Sequence, residues 1–160
     1  MDELTRVCEI AVVSCIRKRI SIASAESITG GMFAKCVTDI PGASNVFSRS
    51  IVTYTFEAKN QELGVDIDFL NKEGAVNEKT AHDMVQGLYD KCHADICISV
   101  TGVAGPGPDS YGNPAGQFFI GLANKGEISV YEFNEGSIGR NNVREMACRS
   151  MFELVCDIVD

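Results

Sequence analysis

Apolar residues recur three and four positions apart near the start of the chain, at Leu4, Val7, Cys8, Ala11 and Cys15. That spacing predicts an amphipathic helix over residues 2–18. The period shortens at "RISIAS", which reads as a strand, and lengthens again over residues 29–37, a second helix closed by the turn "TDIPGAS". "SRSIVTYT" is β-branched and aromatic and predicts a strand. "FEAKNQEL" follows as a helix running to Gly64, and "VDIDFLNKEGAV" as loop with a short helix. Asn77 is a good N-cap for the helix "EKTAHDMVQGLYDKC", and "ADICISV" is a buried strand. "FFIGLAN" and "ISVYEF" form a hairpin across "KG", and residues 140–158 form a final amphipathic helix.

Helices alternating with strands predict an α/β fold: a three-layer α/β/α sandwich over a mixed, mostly parallel sheet, with the whole chain, 1–160, as one domain. In such sheets ligands bind beyond the carboxyl ends of the strands. Three polar segments follow predicted strands: "SAESITGG" at Ser24–Gly31, the run after Tyr54, and "TGVAGPG" at Thr101–Gly107. They are expected to share one rim.

Composition narrows the partners. The net charge of −8 leaves no basic footprint for nucleic acid, and the one cluster, Arg17 to Arg19, reads as a solvated helix end. The longest apolar stretch near the N-terminus, "IAVVSCI", falls far short of the ~20 residues that span a bilayer. Acidic residues precede it and basic residues follow it, the reverse of a signal peptide. Seven cysteines with no CxxC read as reduced thiols, which predicts a cytoplasmic protein, and no cysteine–histidine set completes a metal site. The apolar faces of the first and last helices fit either core or a subunit interface, so a homo-oligomer is compatible with the sequence.

Ser27 stands where a strand gives way to a helix. Free backbone N–H groups collect there, and they can support a nucleophile and its oxyanion or simply be capped by serine. Ser24 and Thr29 are alternative caps. A nucleophilic serine needs a base. The two histidines, His82 and His93, belong to one helix and its exit, away from the polar corners. The other solution is a lysine lowered from ~10.4 toward ~7–8 by desolvation. Lys59 is placed for that role one turn into a helix, with Tyr54 near enough to relay a proton or orient the amine; a solvated helix lysine and a packed aromatic are the plain alternatives. Glu26 reads as structural, holding backbone N–H groups or Lys59. Arg140 lies at a helix start, the unfavourable dipole end for a cation, and fits an anionic partner such as phosphate or an ion pair with Glu135 or Glu145. "PDSYGNP", Pro108 to Pro114, fits a mobile lip or a plain surface loop.

Taken together and in order, "SAESITGG", "TDIPGASNVFSRSIVTYTFEAK", "GAVNEKTAHDM", "ADICISVTGVAGPG" and "GSIGRNNVR" resemble the CinA C-terminal domain family over residues 4–158. Its stand-alone members include nicotinamide-nucleotide amidases. The resemblance implies an amidohydrolase that converts nicotinamide mononucleotide to nicotinate mononucleotide and ammonia, with no metal and no organic cofactor. The matching residues are Ser27 as nucleophile, Lys59 as base and Tyr54 beside them. Glu26, Thr101 and Arg140 match further positions linked to the site. Thr29, Gly30 and Gly31 are expected as oxyanion donors, and Gly102 with the "TGVAGPG" amides as contacts to an anionic nucleotide. Two positions depart from the family pattern. Ile28 stands where the family commonly has cysteine, and Pro108 interrupts the common "GPGG" and removes one backbone donor. Family members that join this domain to a partner domain carry names linked to competence or DNA damage, so a nucleotide-binding or regulatory module without turnover is the alternative expectation.

Overall fold

The computed structural model describes all residues, 1–160. In chain order the elements are α1 (Glu3–Lys18), β1 (Ile22–Glu26), α2 (Met32–Thr38), a 3-10 turn (Ala43–Asn45), β2 (Phe47–Val52), α3 (Phe56–Leu63), α4 (Ile67–Glu73), α5 (Glu78–Cys92), β3 (Ile96–Gly102), β4 (Gln117–Asn124), β5 (Glu127–Asn134) and α6 (Arg140–Val159). One five-stranded sheet has the order β2-β1-β3-β4-β5. β1 pairs parallel with both β2 and β3, and the β3–β4 and β4–β5 pairs are antiparallel. Four strands therefore run one way and β4 runs against them. The expected mixed α/β sheet is present, and no helix is long and apolar enough to cross a membrane.

Alternation along the strands builds two cores. Ile22, Ile96, Ile98, Val100, Phe118 and Ile120 face α1, α2 and α6, where Phe33 stacks on Phe152 with ring centroids 4.3 Å apart. Ala23, Ala25, Cys97 and Ala123 face the opposite side and meet Met84, Val85 and Leu88 of α5. Small residues on this second face let α5 settle close to the sheet. A Cβ placed on Gly121 would lie 2.4 Å from the Ala81 carbonyl oxygen and 2.5 Å from Ser99 Oγ. Ser99 Oγ uses that proximity to donate to the same carbonyl at 2.7 Å.

The helix predicted from residue 29 begins at Met32. Gly30 and Gly31 have φ of 60° and 102°, in the left-handed region that a right-handed helix cannot contain. Neither Ser27, Ser24 nor Thr29 is its N-cap; Gly31 holds that position without a side-chain bond. The other helices follow the sequence reading closely, and Asn77 caps α5 by accepting from the Thr80 amide at 2.8 Å.

Because β1, β2 and β3 run parallel, their carboxyl ends open on one edge. From β1 the chain moves to β2 on one flank, then crosses to β3 on the other. The ends of β1 and β3 thus flank a topological switch point, where α/β sheets characteristically hold ligands.

The close seat of α5 has a measurable consequence. Gly121→Ala is expected to lower unfolding free energy by about 1–3 kcal/mol through overpacking against the Ala81 carbonyl, read by urea denaturation as a lower midpoint with unchanged slope.

Candidate active site

Glu26 closes β1 and is fully buried. Its Oε1 accepts from Thr29 Oγ1 at 2.7 Å, the Gly31 amide at 3.2 Å and the Phe33 amide at 3.0 Å. Its Oε2 accepts from the Ala34 amide at 3.1 Å and Ser50 Oγ at 3.0 Å, while Ser24 Oγ donates to Ser50 Oγ at 2.7 Å. A negative charge at the N-terminus of α2 is favourable, and these donors would otherwise be left unpaired in the interior. The structural reading of Glu26 is the one the geometry takes, toward backbone amides and away from Lys59.

The chain then turns sharply over Ser27–Gly30, with the Gly30 amide donating to the Ser27 carbonyl at 3.0 Å. Ser27 is pressed against the end of α3. Thr55 caps that helix by accepting from the Ala58 amide at 3.1 Å, and Lys59 follows one residue later. The solvated-lysine reading fails: Lys59 is 1% exposed. Its Nζ lies 2.8 Å from Ser27 Oγ and donates to the Thr53 carbonyl at 2.7 Å. Burial pushes its ammonium down to about 8. An amine so placed can donate to Thr53 and present its lone pair to the serine hydroxyl. In that state Lys59 can take the proton of Ser27, the arrangement of a serine nucleophile with a lysine base.

Tyr54 differs from its expected role. β2 ends at Val52, and alternation turns Thr53 inward and Tyr54 outward. Tyr54 is 60% exposed and touches neither Ser27 nor Lys59 by a hydrogen bond. The Thr53 carbonyl orients the amine instead. Tyr54 accepts from Arg140 Nη2 at 3.1 Å, and Arg140 Nη1 donates to the Gly105 carbonyl at 2.7 Å. Arg140 thus bridges the loops after β2 and β3, without pairing to Glu135 or Glu145.

These groups surround one cavity of about 380 Å³, walled by Ser27, Ile28, Lys59, Thr101, Gly102 and the 103–107 loop, with Tyr54 and Arg140 at its mouth. Thr101 Oγ1 is turned aside to donate to the Ala75 carbonyl at 2.8 Å. Glu26, Thr29, Gly30 and Gly31 stand behind the wall, not on it. The Gly30 and Gly31 amides, expected as oxyanion donors, are committed to Ser27 and Glu26. The amides of Ser27, Ile28 and Thr29 donate to no protein acceptor. Ile28 packs inward at 5% exposure, with one edge on the cavity.

The Pro108–Pro114 loop is tied down. Asp109 accepts from the amides of Tyr111 and Asn113, both at 2.9 Å, and Tyr111 Oη donates to the Asn71 carbonyl at 2.8 Å. Tyr111 and Phe56, 6.2 Å apart, give the cavity an aromatic side that the sequence reading missed. Arg144 was also missed. Its Nε donates to the Ile28 carbonyl at 3.0 Å and its Nη2 to the Thr29 carbonyl at 3.2 Å. Its only sequence signal is a position one helical turn after Arg140. All seven cysteines are free thiols, and no group of three or more His, Cys, Asp or Glu side chains is gathered to hold a metal.

A mixed α/β domain with a buried serine–lysine pair at the switch point of its sheet is the class that fold and site define. Known proteins place it more narrowly. The model of the CinA C-terminal domain matches residues 5–159, and the chain belongs to that family. Relatives named competence-damage inducible protein include one from Caldicellulosiruptor saccharolyticus, 38% identical over 147 residues, covering 92% of this chain and 36% of that protein. Another, from Streptococcus pneumoniae, is 40% identical over 154 residues, covering 96% of this chain and 36% of that protein. The chain therefore spans about a third of the length of these curated relatives. Among solved structures, the competence/damage inducible protein CihA from Agrobacterium tumefaciens superposes with a TM-score of 0.93 at 31% identity, over 100% of this chain and 98% of that one. A CinA superfamily protein from Escherichia coli gives 0.90 at 25% identity, over 97% and 90%.

Glu26→Gln keeps the volume but faces a polar N–H group toward donors. It is expected to cost about 2–4 kcal/mol of stability, measured by chemical denaturation, with a parallel loss of order in α2 seen by amide hydrogen exchange.

Proposed function

We propose that the chain is an amidohydrolase acting on nicotinamide mononucleotide, releasing ammonia and nicotinate mononucleotide in pyridine nucleotide salvage. The observation that carries the reading is the 2.8 Å contact between Lys59 Nζ and Ser27 Oγ inside a desolvated wall of the cavity. Neutral Lys59 takes the Ser27 proton as Oγ attacks the carboxamide carbon. The oxyanion forms beside free backbone amides. Lys59 then returns the proton to the departing nitrogen, ammonia leaves, and water, activated by the same amine, hydrolyses the acyl-serine. The Thr53 carbonyl keeps the amine aimed through both halves of the cycle.

Substrate class rests on the mouth. The chain carries −8 overall, so an anionic nucleotide needs a local cation, and Arg140 supplies an exposed guanidinium at the edge of the cavity. Bidentate guanidinium–phosphate contact is the strong form of such recognition. The aromatic side formed by Phe56 and Tyr111 suits a planar ring.

The deciding experiment is ammonia release from nicotinamide mononucleotide. Ser27→Ala and Lys59→Ala are each expected to lose at least about 10³-fold in kcat while remaining folded. Since the base must be neutral, kcat/KM of the wild type should rise with pH, reaching a plateau above Lys59's value of about 8. Absence of turnover by a well-folded wild type, with the nucleotide still raising Tm, would replace this reading with a binding module. Arg140→Ala is expected to raise KM by about 10- to 100-fold with little change in kcat. An unchanged kcat/KM would point to an amide without phosphate.

A further inference from the structure

The amides of Ser27, Ile28 and Thr29 donate to no protein acceptor, and each is aimed by what holds the carbonyl in the same peptide unit. A trans peptide points its C=O and the following N–H in opposite directions. The Glu26 carbonyl is held by the Thr53 amide at 2.8 Å and the Ser27 carbonyl by the Gly30 amide at 3.0 Å. Backbone supplies those two anchors. The third peptide unit has none: the Ile28 carbonyl is held by Arg144 Nε, and the next carbonyl, of Thr29, is shared by Arg144 Nη2 and the Met32 amide at 3.1 Å. The guanidinium reaches them from α6, more than a hundred residues away in sequence. Gly30 makes room for it, since a Cβ there would stand 3.3 Å from Arg144 Nη2. Asn141 Oδ1, 3.3 Å from Nη1, steadies the opposite side of the fork.

We propose that Arg144 is a positioning residue: by gripping the Ile28 and Thr29 carbonyls it holds the turn from behind so that the free amides of Ser27 and Ile28, the two on the cavity wall, form the oxyanion cradle for chemistry at Ser27. The first-turn amides of α2 take no part, because Glu26 occupies them. Arg144 touches no substrate in this scheme and is not on the cavity wall. A planar fork with two separated donors is required, so lysine at this position is a partial substitute only. The proposal rests on Ser27 being a nucleophile, and it holds whatever amide is the substrate.

Fluorophosphonate labelling tests it without assuming a substrate. Ser27 Oγ forms a bond to phosphorus, the P–F bond breaks, fluoride leaves, and the serine proton passes to Lys59; the phosphoryl oxygen occupies the cradle. Arg144→Ala is expected to slow labelling about 10- to 100-fold, with Arg144→Lys intermediate. Ethylguanidine added to Arg144→Ala should restore part of the rate, which a general loss of packing would not allow. Steady-state kinetics on nicotinamide mononucleotide should show the loss in kcat with KM within about twofold. Should Arg144→Ala fail to fold, Arg144→Lys carries the test by the same ratio. Labelling within twofold of wild type in the folded variants, or a loss confined to KM, overturns the proposal. Labelling of wild type that depends on Arg144, without hydrolysis of the nucleotide, upholds it and removes the amidase reading. A well-folded wild type that resists labelling at Ser27 overturns both.

Discussion

Donors from the stretch Thr29–Ala34 and from β2 converge on the carboxylate of Glu26: the Thr29 hydroxyl, the amides of Gly31, Phe33 and Ala34, and the Ser50 hydroxyl. The carboxylate sits at the end of β1, the amides open α2, and Ser50 belongs to β2. A buried charge is tolerated only when its lone pairs are filled, and here that demand fixes where α2 starts relative to the sheet. The turn carrying Ser27 lies between the carboxylate and the helix it anchors. Its shape is therefore set by groups on the far side of the cavity wall, leaving the near side for a ligand. The same economy appears at α6, whose first residue reaches the mouth while Arg144, one turn on, reaches the back of the turn.

Much of this was legible from one sequence. Six of the helices and all five strands follow from apolar spacing and turn residues, and the three polar corners do meet at one rim. The shortfalls have distinct causes. The start of α2 was placed three residues early because hydropathy does not encode backbone handedness, and Gly30 and Gly31 are left-handed. The burial of Lys59 is invisible in "FEAKNQEL", where its neighbours are polar; the wall that dries it comes from Thr53 and from the β1 corner, 32 residues upstream. Tyr54 was expected at the amine because it closes the predicted strand, and strand alternation sends it the other way. Arg144 had no signal of its own, since contact with two carbonyls 115 and 116 residues distant leaves no spacing to read.

The mouth and the floor of the cavity differ in kind. Around Ser27 and Lys59 the side chains are buried and the amine is bonded to both Ser27 Oγ and the Thr53 carbonyl, which favours a single geometry. At the mouth, Arg140 and Tyr54 are exposed and bonded to one another and to a loop carbonyl. Contacts of this kind are exchanged at small net cost, because water and ligand offer equivalent partners. The floor is therefore held rigidly and the mouth loosely, so groups at the mouth can exchange partners without disturbing the serine–lysine pair.

Lys59 also bears on how such a chain drifts over time. An amine driven from its ordinary value to about 8 by burial makes the folded state less stable at neutral pH than an apolar side chain of equal length would. The sign follows from linkage: below about 8 the folded protein must charge a group that the unfolded chain charges freely, and the penalty fades as pH rises toward 10.5. Random substitution therefore has an easy stabilising exit at this position. A lineage with no demand for a basic group beside Ser27 would be expected to take it, with methionine or leucine replacing the lysine before the surrounding wall changes.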